Sequence, residues 1–302
     1  MNKFPDFVGH LVRRLKVLCP TTGKAKLAQF LCRAGLHLGS TTVRRMLHAE
    51  PASTPAPPEV TCGRVVTARH PHHVWHVDLS AVPTALGFWT AWTPFAVPQR
   101  WPFCWWVAVA VDHFSRRVMG CAVFERLPSS AAVGAFLEGV VRNAARPKYI
   151  VTDRGKQFAA RPFRRWCRRR GIRQRFGAVG QYGSLTVIER LIRTLKDECT
   201  RRLVVPYRSA SFQRELSLYV AWYNGARPHE ALHARTPDEV YHGRSPACLA
   251  PRFETRRRWP RRARCAAPQA PVRGRPGVRL QLGVRFVAGR RHLPVVELRR
   301  VA

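Results

Sequence analysis

Three acidic residues, Asp78, Asp153 and Glu189, lie in segments whose patterns predict core elements. Asp78 is flanked by apolar residues inside a predicted strand, Asp153 ends a short buried strand, and Glu189 lies on an amphipathic helix. Each alone could form an ion pair with an arginine. A buried carboxylate is unfavourable unless it is paired or bound to a metal, so three of them on separate core elements favour a shared Mg²⁺ site.

Carboxylates grouped in this way could hold the metal ions that catalyse phosphodiester cleavage. Two divalent ions about 4 Å apart activate the attacking oxygen and stabilise the leaving alkoxide, and Mg²⁺ prefers hard oxygen ligands. We therefore expect Asp78, Asp153 and Glu189 to be both the catalytic residues and the ligands of two Mg²⁺ or Mn²⁺ ions.

The charge of the chain indicates a polyanionic partner. The 302 residues include 53 Lys and Arg against 17 Asp and Glu, which gives a formal net charge of +36. The excess is +6 in residues 1–60, +16 in 61–242 and +14 in 243–302. A highly soluble basic enzyme is the alternative, but nucleic acid is the commonest partner of so basic a chain, and the spread predicts several DNA-contacting modules.

Other chemistries fit the sequence less well. Nine cysteines without a C-x-x-C pair indicate neither a disulfide framework nor a zinc ribbon, and no cysteine lies at finger-like spacing from the histidines in 70–76. No signal peptide is visible, and the longest apolar run, 103–111, is too short to cross a bilayer. We expect a soluble, cytoplasmic, nucleoid-associated protein without membrane contact.

The N-terminal segment, 1–50, is predicted to be a DNA-binding arm. Residues 24–48 show two short helical patterns around a tight turn, with Ser40 as the expected N-cap of the second. Arg44 and Arg45 would lie on the exposed face of that second helix, as in a helix-turn-helix. An ordinary helical hairpin is the alternative.

The segment 51–60 is rich in Pro, Ala and Ser and is predicted to be a linker to a main domain, 61–242. Three antiparallel strands, a helix, and then strands alternating with helices predict an α/β fold, a ribonuclease H-like mixed five-stranded sheet flanked by helices. The strands are expected at 74–82, 103–112, 116–124, 148–153 and 171–176, and the helices at 129–145, 159–170, 184–202 and 211–224.

The C-terminal region, 243–302, is basic and rich in Arg and Pro. A strand pattern returns only in 278–301, around an Ala-Gly-Arg-Arg turn. The segment is either part of a small β-barrel or a basic tail that ends in one hairpin.

Several ordered motifs resemble the catalytic core of insertion-sequence transposases and retroviral-type integrases. They are VWHVDLS, VAVDHFSRRVMG, YIVTDRGKQF, VIERLIRTLKDE and WYNGARPHEAL-x4-P, and they cover about residues 70–242. That family has an Asp, Asp, Glu triad with 35 residues between the last two, as between Asp153 and Glu189 here. The resemblance implies a DNA transposase that cuts element ends and joins them to target DNA.

The resemblance and the helical spacing also suggest DNA contacts. Arg193 and Lys196 lie on the helical face of Glu189 and are expected to meet phosphates, while Lys156 and Gln157 would line the same groove. The YN-x2-RPH element at 223–229 is expected to pack beneath the site or to orient DNA. Double-stranded DNA is the implied partner, with at least a dimer of this chain bound to it.

Two departures from the family pattern keep an alternative open. Ser184 and Leu185 stand where many relatives have an acidic residue and Asn, and the connection 83–102, with Trp89, Trp92 and Trp101, is longer than usual. The alternative is a catalytically silent, transposase-derived DNA-binding protein that acts as a repressor or architectural factor. A ribonuclease H-type nuclease would not explain the flanking basic modules. The intact triad favours the enzyme.

Overall fold

The computed structural model describes residues 6–47, 66–86, 99–177, 185–247 and 279–301. The chain forms two compact units, one of residues 60–221 and one of residues 1–59 together with 222–302. Residues 222–242, which were predicted to be the end of the main domain, group instead with the N-terminal helices. The predicted linker, 51–60, lies outside the described residues.

The helices and strands of the described residues follow in chain order. They are α1 (Asp6–Leu18), α2 (Lys24–Arg33), α3 (Ser40–Leu47), β1 (Val74–Pro83), β2 (Cys104–Asp112), β3 (Val118–Phe124), α4 (Ser130–Asn143), β4 (Tyr149–Thr152), α5 (Lys156–Ala159), α6 (Arg161–Arg169), β5 (Arg173–Phe176), α7 (Thr186–Glu198), α8 (Ser209–Gly225), α9 (Pro237–Tyr241), β6 (Arg279–Phe286) and β7 (Pro294–Val301).

The unit of residues 60–221 contains a five-stranded sheet with the order β3-β2-β1-β4-β5. The first three strands along the chain are antiparallel, whereas β4 pairs parallel to β1 and β5 pairs parallel to β4. This mixed sheet with flanking helices confirms the predicted ribonuclease H-like fold. The predicted helix 159–170 is interrupted at Ala160, and the short helix α5 precedes it.

Apolar side chains from β1 and β4 pack against α4 and α6 to form the core of this unit. Trp75 of β1 and Ile150 of β4 are fully buried beside Leu137 of α4 and Phe163 of α6. Helix α4 begins after Ser129, whose hydroxyl accepts a hydrogen bond from the Ala132 amide at 3.2 Å. Such a cap satisfies an amide that the first helical turn leaves unpaired.

The other unit joins the N-terminal helices to the C-terminal hairpin. Helices α2 and α3 are present as predicted, with Ser40 as the first residue of α3 rather than its N-cap. Helix α1 was not predicted, although Val8, Val12 and Leu15 lie on one face and are fully buried. The hairpin of β6 and β7 packs on these helices and confirms the predicted strand pair.

Residues 222–247 belong to the same unit and contact α2. Lys26 donates a hydrogen bond to the Pro228 carbonyl at 2.9 Å, and Arg33 forms an ion pair with Glu239 at 2.7 Å.

Within the described ranges, no helix is both long and apolar enough to span a membrane. Trp89 and Trp92 lie outside those ranges, whereas Trp101 is exposed.

Candidate active site

The register of two parallel strands brings Asp78 and Asp153 side by side. His76 of β1 pairs with Val151 of β4, which is the last pair in their ladder. Asp78 lies two residues beyond His76, and Asp153 lies two residues beyond Val151. Neighbouring strands are about 4.8 Å apart, and side chains two residues apart share a face, so the two carboxylates come from adjacent positions just beyond the last β1–β4 pair.

Glu189 joins them from α7, which packs against β1. It lies in the first turn of that helix and its side chain is exposed. The pKa of Asp78 is raised from 3.8 to about 6, chiefly by burial and also by the negative charges of Asp153 and Glu189, while the Leu79 amide and Lys196 lower it. Asp78 is therefore close enough to sense the charges of the other two predicted carboxylates.

The three carboxylates form no ion pair within the described part of the chain. Asp78 accepts a hydrogen bond from the Leu79 amide at 2.7 Å, and Asp153 accepts one from the Gly155 amide at 3.1 Å. Four other acids, Glu138, Asp197, Glu239 and Glu297, do have arginine partners. In a chain with this excess of arginine, the ion-pair explanation of the three acids is not supported.

A cavity of about 320 Å³ opens between β1 and α7. Asp78 and Glu189 supply its acidic side, while Arg193 and Lys196, both predicted from the sequence, supply basic groups from α7. Burial lowers the pKa of Lys196, Arg201 lowers it further, and Asp78 opposes the shift. Arg201 also lines the cavity but was not predicted, although its four-residue spacing from its ion-pair partner Asp197 was visible in the sequence.

The side chains of Gln157 and Asp153 approach Gly155 closely. A Cβ at this position would lie 2.8 Å from the Gln157 amide nitrogen and 3.1 Å from an Asp153 carboxylate oxygen. Gln157 therefore folds back towards Gly155 and Asp153, and it does not line the cavity between β1 and α7. Lys156 is exposed at the start of α5.

The donor set of this site suits a hard divalent cation. All three acids offer carboxylate oxygens, the ligands that Mg²⁺ prefers, and their mutual repulsion would be relieved by positive charge between them. Across the described ranges, no three His, Cys, Asp or Glu side chains are already spaced as a metal-binding group. Asp78, Asp153 and Glu189 could supply oxygen ligands to such a cation.

Asp112 has a structural role. It is fully buried and caps the β2–β3 hairpin by accepting hydrogen bonds from the Ser115 amide at 2.8 Å and the Ser115 hydroxyl at 2.7 Å. A third bond comes from the His72 amide at 2.8 Å.

Nearby, His76 and His113 share a buried hydrogen bond of 2.8 Å, and burial lowers the pKa of His76 to about 3.

The remaining predicted DNA contacts lie in the other unit. Arg44 is partly buried on α3 and Arg45 is exposed. In the YN-x2-RPH element, the buried Arg227 lies over the Tyr223 ring at 5.2 Å and 3.1 Å from a ring nitrogen of His229. The sequence motif thus forms a compact cluster in the unit of the N-terminal helices, whereas the carboxylates belong to the other unit.

Comparison with known proteins agrees with the resemblance seen in the sequence. Two family models, each described as an integrase core domain, match residues 68–181 and 170–237. The transposase for insertion sequence element IS904 from Lactococcus lactis subsp. lactis (strain IL1403) is 24% identical over 177 residues, which are 58% of this chain and 64% of that protein. The Gag-Pol polyprotein of Rous sarcoma virus subgroup C (strain Prague) is 30% identical over 134 residues, 44% of this chain and 8% of the polyprotein.

The chain thus spans less than two thirds of the length of these relatives. Among solved structures, the catalytic core domain of BIV integrase aligns with 57% of this chain and 95% of its own, at 21% identity and a TM-score of 0.43.

Proposed function

The chain belongs to the integrase core domain family, with its likeness to insertion-sequence transposases confirmed, and we propose that it is a metal-dependent DNA transposase. It would cut element ends and join them to target DNA by phosphodiester hydrolysis and transesterification. The observation that carries this proposal is the alignment of Asp78 with Asp153, next to Glu189, without an ion pair on any of the three within the described residues.

Asp78, Asp153 and Glu189 act as the metal ligands in this mechanism. Divalent ions held there would activate the attacking oxygen and stabilise the leaving one. Arg193 and Lys196 project from the same helix as Glu189 and bind phosphates next to the scissile bond. Water is the nucleophile in the first step, and the 3′-OH that this step frees attacks the target phosphodiester in the second. The protein forms no covalent bond to DNA.

Duplex DNA is the proposed partner of both units. Arg44 and Arg45 on α3 meet the element end, and the basic residues beside the carboxylates meet the DNA to be cut. A transposition event must bring two element ends together, so we propose that at least two copies of the chain assemble on DNA. Such a protein would act inside the cell, on the nucleoid.

The test is cleavage and strand transfer on duplexes made from the DNA that flanks this reading frame. Asp78→Asn, Asp153→Asn and Glu189→Gln should each abolish Mg²⁺-dependent products while duplex binding in EDTA stays within about twofold. Glu198→Gln, on the same helix as Glu189, is the matched control and should remain active. Full strand transfer by any of the three triad variants would disprove the assignment.

One observation favours the catalytically silent alternative. Leu185, where many relatives have Asn, sits at the start of α7 and packs against Gly177, so close that a Cβ on Gly177 would lie 2.5 Å from it. An apolar contact there replaces a polar group near Glu189; Ser184 lies outside the described residues. Absence of Mg²⁺-dependent cleavage by the wild type, with sequence-specific binding intact, would support a repressor or architectural role.

A further inference from the structure

Helix α6 carries a stripe of five exposed arginines that the proposed chemistry does not use. At 100° per residue they occupy an arc of about 140°, and the eight steps from the first to the last span about 12 Å. Phe163, Trp166 and Cys167 are buried on the opposite face. The stripe consists of Arg161, Arg164, Arg165, Arg168 and Arg169.

These arginines have no acidic partner within the described ranges. The acid that contacts α6 is Glu138 of α4, which accepts a hydrogen bond from Trp166 Nε1 at 3.0 Å. It is already paired with Arg142 and Arg170, which lie outside the stripe. Acidic partners are also lacking nearby in the sequence, because the 35 residues between Asp153 and Glu189 contain ten basic residues and no acidic residue.

Such a stripe disfavours the isolated helix. Arginines three or four residues apart are neighbours on a helix surface, and each like-charge pair at that spacing costs about 0.2–0.5 kcal/mol. Three pairs at a spacing of four and two at a spacing of three lie along α6. Arg161 also places a positive charge at the helix N-terminus, where the macrodipole is already positive. A bound polyanion would offset these unfavourable contributions.

We propose that the stripe on α6 is an additional duplex-DNA contact, which binds the phosphate backbone outside the cavity lined by Asp78 and Glu189. The inference rests on the proposed function, since it takes DNA as the polyanion. Arginine is suited to phosphate because its planar guanidinium can donate two hydrogen bonds to one group. A rigid helix presents five of them at once along about 12 Å, and duplex DNA has one phosphate per 1.7 Å of axis.

A different explanation covers the other arginines of this region. Arg173 and Arg175 lie on β5, the edge strand of the sheet, where exposed charges prevent pairing with another strand. Arg175 also lies over the Tyr149 ring at 5.2 Å. The proposal therefore depends on α6 alone. As a helix, α6 has no unpaired strand edge, so this explanation does not apply to its arginines.

The test is binding of the full-length protein to a 40-base-pair duplex of unrelated sequence in EDTA, measured by fluorescence anisotropy over a range of salt concentrations. Each phosphate contact contributes about −0.9 to the slope of log K against log salt. The triple variant Arg164→Gln, Arg165→Gln, Arg168→Gln should reduce the magnitude of the slope by about 2 to 3 and weaken binding at least tenfold at 0.1 M salt. Its melting temperature should not fall, because like-charge pairs are removed.

Two further variants separate a local contact from a general loss of charge. The control Arg126→Gln, Arg208→Gln, Arg214→Gln removes three exposed arginines elsewhere in the same unit and should change the slope by less than about 1. The variant Arg164→Lys, Arg165→Lys, Arg168→Lys keeps the charge and should keep the slope near that of the wild type, whatever the glutamine variant does to folding.

A wild-type slope in the glutamine variant, or equal losses in it and the control, would overturn the proposal. So would loss of binding to a polyglutamate peptide with duplex binding unchanged, because the stripe would then be a protein-binding surface. None of these measurements depends on cleavage. If the chain shows the predicted slopes but no catalytic activity, the proposed transposase function would be refuted, whereas the proposed DNA contact on α6 would stand.

Discussion

Asp78 and Asp153 lie the same distance, two residues, beyond the last registered pair of strands β1 and β4, His76 with Val151. Two acids 75 positions apart in the sequence thereby become neighbours just beyond the last pair of the β1–β4 ladder. Asp78 is partly buried, and burial together with the charges of Asp153 and Glu189 raises its pKa.

The stability of the metal-free protein should decrease from pH 4 to pH 6 through Asp78. Its pKa is about 6 in the folded state against 3.8 as the ordinary value, so the folded state binds the proton more tightly and ionisation destabilises it. In urea denaturation with EDTA, Asp78→Asn should gain on the order of 2–3 kcal/mol over the wild type at pH 7.5. The gain should vanish near pH 4; a difference that does not change with pH would contradict the prediction.

Mg²⁺ should stabilise the wild type at neutral pH by relieving the same repulsion. At an Mg²⁺ concentration 100 times the dissociation constant, binding raises the free energy of unfolding by about 2.7 kcal/mol. Asp153→Asn should lose most of this increase, whereas Glu198→Gln, on α7 with Glu189, should keep it. The melting temperature with and without Mg²⁺ measures the effect, and equal increases in both variants would argue against Asp153 as a ligand.

Gly155→Ala should impair activity more than stability. The backbone at this position, with φ of −53°, accepts alanine, but the new Cβ would meet the side chains of Gln157 and Asp153. We expect cleavage to fall at least about tenfold, as small misplacements of catalytic groups are costly, while the free energy of unfolding changes by less than about 1 kcal/mol.

Gly139→Ala is the matched control for that substitution. A Cβ at Gly139, inside α4, would meet nothing within 4 Å. Alanine there should raise the free energy of unfolding by about 0.5–1 kcal/mol and leave cleavage unchanged. Comparable loss of activity in both alanine variants would show that the effect of Gly155→Ala is not local.

Glu239→Gln should destabilise the unit that contains the N-terminal helices. Burial works to raise the pKa of Glu239, but Arg33 and the amides of Ala247 and Thr236 outweigh it and hold the pKa below 4.5. The carboxylate therefore stabilises the fold above the unfolded pKa, and this contribution is lost as pH falls through the lower, folded pKa. At pH 7 we expect a loss of about 1–3 kcal/mol by denaturation.

The exposed Glu230 provides the comparison for Glu239. Glu230→Gln should change stability by less than about 0.5 kcal/mol at any pH. The deficit of Glu239→Gln should shrink below pH 4, and a deficit that persists unchanged in acid would mean that the ionised carboxylate is not its source.

Much of the fold follows from local patterns in the sequence. The alternation and apolar runs of the strands, and the helical period of α2, α4 and α7, arise from neighbours along the chain, so they can be recognised without a structure. The same patterns placed Asp78 in a strand and Glu189 on a helix. Helix α1 was missed although its apolar period was visible, and the break at Ala160 was missed because one residue decides it.

The sequence alone determined the type of fold and the family, since periodic apolar patterns and ordered motifs are visible in one dimension. It also predicted the three carboxylates, as scarce acids on apolar elements. Only the tertiary structure decided the register that aligns Asp78 with Asp153, the absence of ion pairs on them within the described residues, and the place of Arg201 in the cavity. It also decided that residues 222–247 and the hairpin of β6 and β7 pack with the N-terminal helices. These features depend on contacts between residues far apart in the chain, and local periodicity carries no information about which distant surfaces meet.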